Sequence, residues 1–281
     1  MNASLIEIMR KYRILTVEDT LEIPVNKLRN LGFNIESLKS RSVITQVETE
    51  LPADEAIRTA LRLGDSVLII GEVRSMEAKA LYEAMRIGAL ANTVAGTIHG
   101  DSPYGVFDRV VNDLGVPATS FKATDLIIIC SLMKGADGIK RFRRVTSVTE
   151  VRKHWREDPD AEGGFVPLLQ YSSREDALKP TDTLLNGESF ILNEVASSVR
   201  EWSGNWNDVW ENILLRGKMK KAITDFATTN NAPRIMEAPF VVEANDAFHI
   251  IAEQLKAEVG SIPADRAYAM WADWFKKQVK T

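Results

Sequence analysis

Three short apolar runs, each leading straight into a polar residue, constrain the fold of this chain most. Arg13–Val17 runs into Glu18 and Asp19, Val67–Ile70 ends at Gly71-Glu72, and Thr93–Ile98 ends at His99. Runs of this kind read as strands, and Val67–Ile70, apolar throughout, as a buried one. Helical signals fill the spaces between them. Asp54 is placed as the N-cap, with Glu55 in the first turn, of a helix ending near Gly64. Ser75 is placed as the cap of a helix reaching about Ile87, where Gly88 provides a stop. Pro103 opens another helix, with Val106, Phe107, Val110 and Val111 on one face. Leu126–Ser131 is a further strand, and Lys134–Gly138 turns into a strand over Ile139–Val145.

Strands alternating with helices across short connections predict an α/β layer with parallel strands and right-handed crossovers. Chemistry in such sheets gathers at the carboxyl ends of the strands. Glu18, Asp19, Glu72 and His99 each stand just past an expected strand end.

The second half changes character. Asp158–Gly164 is a turn-rich junction, Phe165–Tyr171 reads as a strand, and from about Glu188 the pattern is helical. Ser203–Asn207 separates two helical stretches. Trp206, Val209, Trp210, Ile213 and Leu214 form one expected apolar face. A last helix starts at Ser261–Pro263 and carries Tyr268, Trp271, Trp274, Phe275 and Val279 as its stripe. The tryptophans concentrate in this half and are assigned to core packing. Met1–Arg10 reads as a short amphipathic helix through Leu5, Ile8 and Met9, not as a signal peptide, because Glu7 and Arg10 interrupt it.

An apolar share of 45% is enough for a substantial core, and a net charge of -4 leaves no overall basic footprint for nucleic acid. Cys130 is the only cysteine, which excludes an internal disulfide and fits a reducing compartment; its apolar run marks it as an inert core residue. No stretch is long and apolar enough to span a bilayer, so a cytoplasmic protein able to dock at a membrane is expected. His154 and His249 lack companions at metal-ligand spacing. Lys140–Arg144 is basic with one aromatic residue. It can touch nucleic acid or acidic lipid, but a solvated edge strand facing another subunit is the preferred reading.

The segment Asp65–Glu77 carries the strongest chemical signal, an apolar strand that delivers an acid to the end of the sheet. In phosphoryl transfer such an acid serves Mg²⁺ or polarises the attacking water. Arg62–Asp65 leading into Gly71-Glu72-Val73-Arg74 and Glu77 resembles the Walker B region of type II and type IV secretion ATPases, which include pilus and archaellum motors. Val17–Glu22 resembles their Asp box and Gly96–Asp101 their His box, in matching order, and Val110–Pro117 resembles the helix and turn that follow. The resemblance is close over residues 1–146; over 147–281 it is looser and points to the archaeal branch.

The resemblance implies an incomplete RecA-like P-loop ATPase core over 1–146 and a mostly helical C-terminal domain over 147–281. It implies ATP and Mg²⁺ as cofactors, assembly as a hexamer, and a membrane platform protein of a secretion or pilus system as partner, at the inner face of the membrane. Glu18 is favoured for the attacking water and Glu72 for the metal. Asp19 orients its neighbours, Arg74 senses phosphate or links subunits, and His99 hydrogen-bonds near the γ-phosphate. Arg62 and Arg86 are candidate phosphate-side or cross-subunit cations, with ordinary surface charge as the competing assignment.

A P-loop needs Gly-x-x-x-x-Gly-Lys-[Ser/Thr] to wrap phosphates in backbone N–H groups. The only Gly-Lys pair is Gly217-Lys218, followed by Met219 in an expected helix. Leu5–Met9 resembles the helix that normally follows the loop, so the chain is expected to start just past it. A fragment, a split gene whose upstream polypeptide carries the Walker A loop, and a degenerate paralogue used as a scaffold all fit. The expected function is a share in ATP-driven secretion or filament assembly, with the chain alone inactive. A non-enzymatic assembly module is the second reading, and a DNA-processing ATPase the third.

Overall fold

The computed structural model describes residues 1–41, 52–62, 66–75, 77–86, 91–135, 138–200, 202 and 204–280. The expected helix end at Gly64, Asp65, and the stop at Gly88 lie outside the described residues.

Two compact units divide the chain. One comprises Arg13–Asn26 and Asn34–Ile191, the other Met1–Tyr12, Lys27–Phe33 and Leu192–Thr281. The chain therefore passes between them at 12/13, 26/27, 33/34 and 191/192.

The first unit holds two sheets. β1 (Arg13–Glu18), β2 (Asn34–Lys39), β3 (Ser66–Ile70) and β4 (Ala91–Gly96) form a parallel sheet in the order β2-β1-β3-β4. β1 and β3 are its inner strands, which suits their runs of Ile, Leu and Val. α1 (Asn2–Leu5) precedes β1 and α2 (Val25–Asn30) follows it. α3 (Ala53–Arg62) leads to β3 and α4 (Glu77–Arg86) follows it. α5 (Pro103–Asp108), a π-helical turn over Arg109–Asp113, and α6 (Ala118–Phe121) carry the chain onward. Ser102 caps α5, its hydroxyl accepting from Gly105 N–H at 3.0 Å, and Pro103 fits the first turn.

The second sheet is antiparallel: β5 (Leu126–Lys134), β6 (Arg141–Val151), β7 (Phe165–Ser172) and β8 (Ala177–Pro180), in that order. The strands expected at 126–131 and 139–145 thus form a separate hairpin, not part of the parallel layer. Residue 146 lies inside β6. The basic run is not a simple edge strand either. Arg141–Val145 pairs with β5 on one side, and β7 pairs only with Ser147–Val151. Arg144 reaches Asp176 in the β7–β8 turn through Nε at 2.7 Å and Nη2 at 2.6 Å. Cys130 is exposed, contrary to expectation: β5 alternates, with Ile127 and Ile129 in the core and Leu126, Ile128, Cys130 and Leu132 on the outer face.

One core joins both sheets. Phe107, Phe121, Trp155 and Phe165 pack edge to face there, with Trp155 fully buried. Glu150 is buried beside it. Its Oε1 accepts from Arg152 Nε at 3.0 Å, and its Oε2 accepts from Ser189 Oγ at 2.6 Å and Ile191 N–H at 3.1 Å. α7 (Asp182–Leu185) and the start of α8 (Phe190–Ser198) follow the last strand.

The other unit is built on α9 (Trp206–Thr229), α10 (Ala238–Val259) and α11 (Ala264–Gln278). Asn205 caps α9 and a left-handed Gly260 ends α10. Trp271 and Phe275 are buried as expected, and Trp271 Nε1 donates to Ala244 O at 3.0 Å. The expected face on α9 needs correction. Ile213 and Leu214 are exposed, and the buried row is Val209, Leu215, Met219, Ile223 and Ala227. The amphipathic helix expected over residues 1–10 is only the single turn α1. Its Leu5 is buried in this unit. Among the described residues no helix is long and apolar enough to cross a membrane.

Candidate functional site

Parallel strands deliver their carboxyl ends to one side, and the polar residues gather there. β1 lies beside β3 with Val17 opposite Ile70, so Glu18 ends up next to Gly71. The ladder continues past the strand ends: Gly71 N–H donates to Val17 O at 2.9 Å and Val73 N–H to Thr97 O at 2.8 Å. Those bonds hold the turn Gly71–Arg74 between Glu18 and His99.

Glu18 is held firmly. It is only 2% exposed, and its Oε1 accepts from the N–H groups of Glu22 at 2.9 Å and Ile23 at 3.0 Å. Its Oε2 is buried with no hydrogen-bond partner. The position of Gly71 explains the packing, since a Cβ there would fall 2.8 Å from Glu18 Cγ. Glu72 is the hub of the exposed part. One carboxylate oxygen accepts from Arg74 Nη2, and the other lies 3.1 Å from His99 Nε2. Arg74 also reaches Asp19 Oδ2 at 3.4 Å, while Asp19 Oδ1 accepts from Thr20 N–H at 2.6 Å. The hydrogen bond from Arg74 holds the Glu72 carboxyl below its ordinary range against the opposing effect of burial; Arg109 adds to the lowering. The same bond raises Arg74.

Glu77, the first residue of α4, fixes the turn from below. Its carboxylate accepts from the N–H groups of Arg74 and Ser75 and from the Ser75 hydroxyl. The capping is thus the reverse of the expectation that Ser75 would serve the helix. Asp54 lies in the first turn of α3 rather than at its cap. A cleft beside these groups is lined by Asp19, Ser40, Arg41, Glu72, Arg74 and Glu77 over an apolar floor of Val17, Ile57 and Ile70.

The fold therefore brings Glu18, Asp19, Glu72, Arg74 and His99 together at one end of one sheet. It does not bring Arg62 there. Arg62 ends α3 just ahead of β3, on the amino-terminal side of the sheet, about 17 Å of strand away from Glu72. Arg86 ends α4, with Nη1 bonded to Ser120 Oγ at 3.2 Å. Ser40, Arg41 and Arg109 were not singled out in the sequence. β2 is a weakly apolar strand whose end gave no signal, and Arg109 sits on a π-helical turn that periodicity does not mark.

A family model described as type II/IV secretion system protein matches residues 2–161, more than half of the chain. The chain belongs to the type II/IV secretion system protein family. Two relatives come from Methanocaldococcus jannaschii. Uncharacterized protein MJ1287 is 28% identical over 201 residues, 71% of this chain and 68% of that one. Uncharacterized protein MJ0900 is 27% identical over 175 residues, 61% of this chain but 29% of that one. Among solved structures, the Legionella pneumophila ATPase DotB aligns with a TM-score of 0.37 at 19% identity, covering 49% of this chain and 37% of its own. The VirB11 ATPase of the Brucella suis type IV secretion system, in complex with sulphate, aligns with a TM-score of 0.38 at 18% identity, covering 52% and 44%. This family member thus spans less than half the length of those two solved chains.

The donor set fits half of what a Mg²⁺–nucleotide complex requires. Among the described residues no three His, Cys, Asp or Glu side chains could hold a metal. Mg²⁺ bound through one or two carboxylates and substrate phosphates needs no such cage, and Glu72, Asp19 and the unpartnered Glu18 Oε2 supply suitable oxygens. The phosphate grip is not supplied by the Gly-Lys pair. Gly217 and Lys218 lie mid-helix in α9, with Lys218 Nζ 3.9 Å from the centre of the Tyr268 ring.

Proposed function

We propose that this chain carries the acidic and sensing residues of a motor ATPase that drives protein secretion or assembly of a pilus-like filament. The observation that carries the reading is Glu72. It stands at the carboxyl end of an inner strand, holds Arg74 with one oxygen, meets His99 with the other, and neighbours Glu18 and Asp19.

In this reading Glu72 faces Mg²⁺, which neutralises charge on the transferring phosphate. Glu18 offers Oε2 to the attacking water, Asp19 aligns Arg74, and His99 marks the γ-phosphate end. Arg62, at the amino-terminal end of the sheet, serves a neighbouring subunit. A segment outside these 281 residues supplies the glycine-rich phosphate loop and its lysine. The complete motor is a hexamer that works at the inner face of a membrane against a platform protein. The division into a nucleotide core over 1–146 and a C-terminal region over 147–281 belongs to the same proposal.

The test is to combine this chain with the polypeptide encoded directly upstream, provided that polypeptide carries an intact Walker A motif. Phosphate release and mass by light scattering are then measured together. Mg²⁺-dependent turnover and ring formation are expected to appear at once, because a neighbour's arginine completes such sites. A stable complex without turnover supports the non-enzymatic scaffold instead.

A further inference from the structure

α9 buries one face in its unit and leaves a second apolar stripe at the surface. Val209, Leu215, Met219, Ile223 and Ala227 are the buried row. Trp206, Trp210, Ile213, Leu214 and Gly217 lie on the other side, within an arc of about 100° at 3.6 residues per turn. Trp206 and Trp210 are half-buried and stack with ring centres 6.0 Å apart. Ile213 is 39% and Leu214 52% exposed. Apolar residues gathered in this way at a surface mark a contact. Gly217 stands inside a 24-residue helix, where glycine is the poorest residue after proline. It is exposed, its backbone is ordinary helix, and a Cβ there would meet nothing within 4 Å among the described residues. Neither close packing nor backbone geometry within the chain calls for a glycine.

The stripe falls into pairs about the midpoint between Ile213 and Leu214. Trp210 mirrors Gly217, and Trp206 mirrors Lys221. Two such helices set antiparallel, with a two-fold axis at that midpoint, bring the broad Trp210 ring of each over the bare backbone at Gly217 of the other. They also bring Trp206 to Lys221, whose ammonium pairs with Asp225 within the chain. Charge favours the same arrangement. Asp208 and Glu211 are the only charged residues over 205–215, and Arg216, Lys218, Lys220 and Lys221 follow. Antiparallel copies set the acidic half against the basic half, whereas parallel copies set like charges together.

We propose that α9 pairs antiparallel with α9 of a second copy of this chain, Trp210 of each copy covering Gly217 of the other. The contact is isologous, so it differs in kind from the head-to-tail contacts that close a ring, and it does not depend on the function proposed above. Its few side chains fall short of the roughly 800 Å² per partner of a standard interface, so the dimer is weak.

The mass of the chain is followed by sedimentation equilibrium up to about 500 μM, and is expected to rise from one chain toward two. Gly217→Leu is expected to weaken association at least about tenfold. It is expected at the same time to raise the urea midpoint, because leucine is the better helix former and meets nothing in the single chain. A midpoint that falls instead gives Gly217 a place in the fold of the single chain and overturns the proposal. In Cys130→Ser protein, Leu214→Cys is expected to join two chains through a disulfide on oxidation. Lys221→Cys is not, since its two copies then lie roughly 22 Å apart along the helices. A chain that stays single at about 500 μM overturns the pairing. So does self-association that Gly217→Leu leaves unchanged, since another surface then carries it, and so does equal cross-linking of the two cysteine variants. Binding of the single chain to phosphatidylglycerol vesicles that Trp210→Ala abolishes gives the face to a lipid surface and sinks the pairing too.

Discussion

His99 Nε2 lies 3.1 Å from Glu72 Oε1, so a residue from the end of β4 meets one from the end of β3 through side chains alone. His99 is otherwise 81% exposed on its side chain, which leaves Glu72 as its anchor. Glu72 thus ties two strand ends and Arg74 into one constellation, and removing its charge should loosen all three.

A pH dependence follows. Arg74 holds the Glu72 carboxyl below its ordinary 4.5 in the folded chain. A carboxyl lowered by folding contributes stability that is complete above the unfolded value and is lost as pH falls through the folded one. The urea midpoint is therefore expected to decline on acidification below about 4.5, and to decline less steeply in Glu72→Gln. Parallel curves for the two proteins would remove the pair from the stability of the fold.

Gly71→Ala should disturb Glu18 without touching its charge. The added Cβ meets Glu18 Cγ at 2.8 Å, and that side chain cannot swing aside without giving up the N–H groups of Glu22 and Ile23. A loss of about 1–3 kcal/mol is expected from overpacking, read by denaturant unfolding. A stability equal to that of the parent would mean that Glu18 repacks freely.

Glu150→Ala should be among the most damaging single changes. It takes the carboxylate from Arg152, which keeps its bond to Glu188 O, and leaves the Ser189 hydroxyl and the Ile191 N–H without their acceptor. Breaking a buried pair this way costs about 3–5 kcal/mol. Replacing Glu150 and Arg152 together by apolar residues should recover much of that, and a double variant no better than the single one would disprove the coupling.

The purified chain alone should release phosphate from ATP at the background rate, because Gly217-Lys218 is helical and acids alone repel a polyanion. Turnover of roughly one per second or more would mean that residues within this chain provide the grip.

Glu18 and Glu72 were legible in the sequence because each ends an apolar run that folds as a buried strand, and His99 because it follows a third strand, although β4 is itself exposed or half-buried; parallel strands end on the same side. Arg62 enters through the family resemblance rather than through a strand end, and it closes α3 just ahead of β3, at the opposite end of the sheet. Cys130 was misread because an apolar run does not say whether both faces of its strand are covered. Ser40 and Arg41 stayed invisible because Asn34–Lys39 mixes charge and apolar residues without a clear period. Glu77 stood in the motif, yet its grip on the N–H groups of Arg74 and Ser75 is a matter of geometry that spacing does not encode.

The repeated passage of the chain between its two units bears on how the protein can be dissected. A cut at 191/192 releases α9, α10 and α11 but leaves behind Leu5, buried in that unit, and the carbonyl of Ile6, which accepts from Asn245 Nδ2 at 3.0 Å. Arg10 stays behind too and loses its ion-pair partner Asp246. The C-terminal helices are therefore not a detachable cassette. Any shuffling of this region between proteins must carry the first dozen residues, which belong to the same unit, along with it.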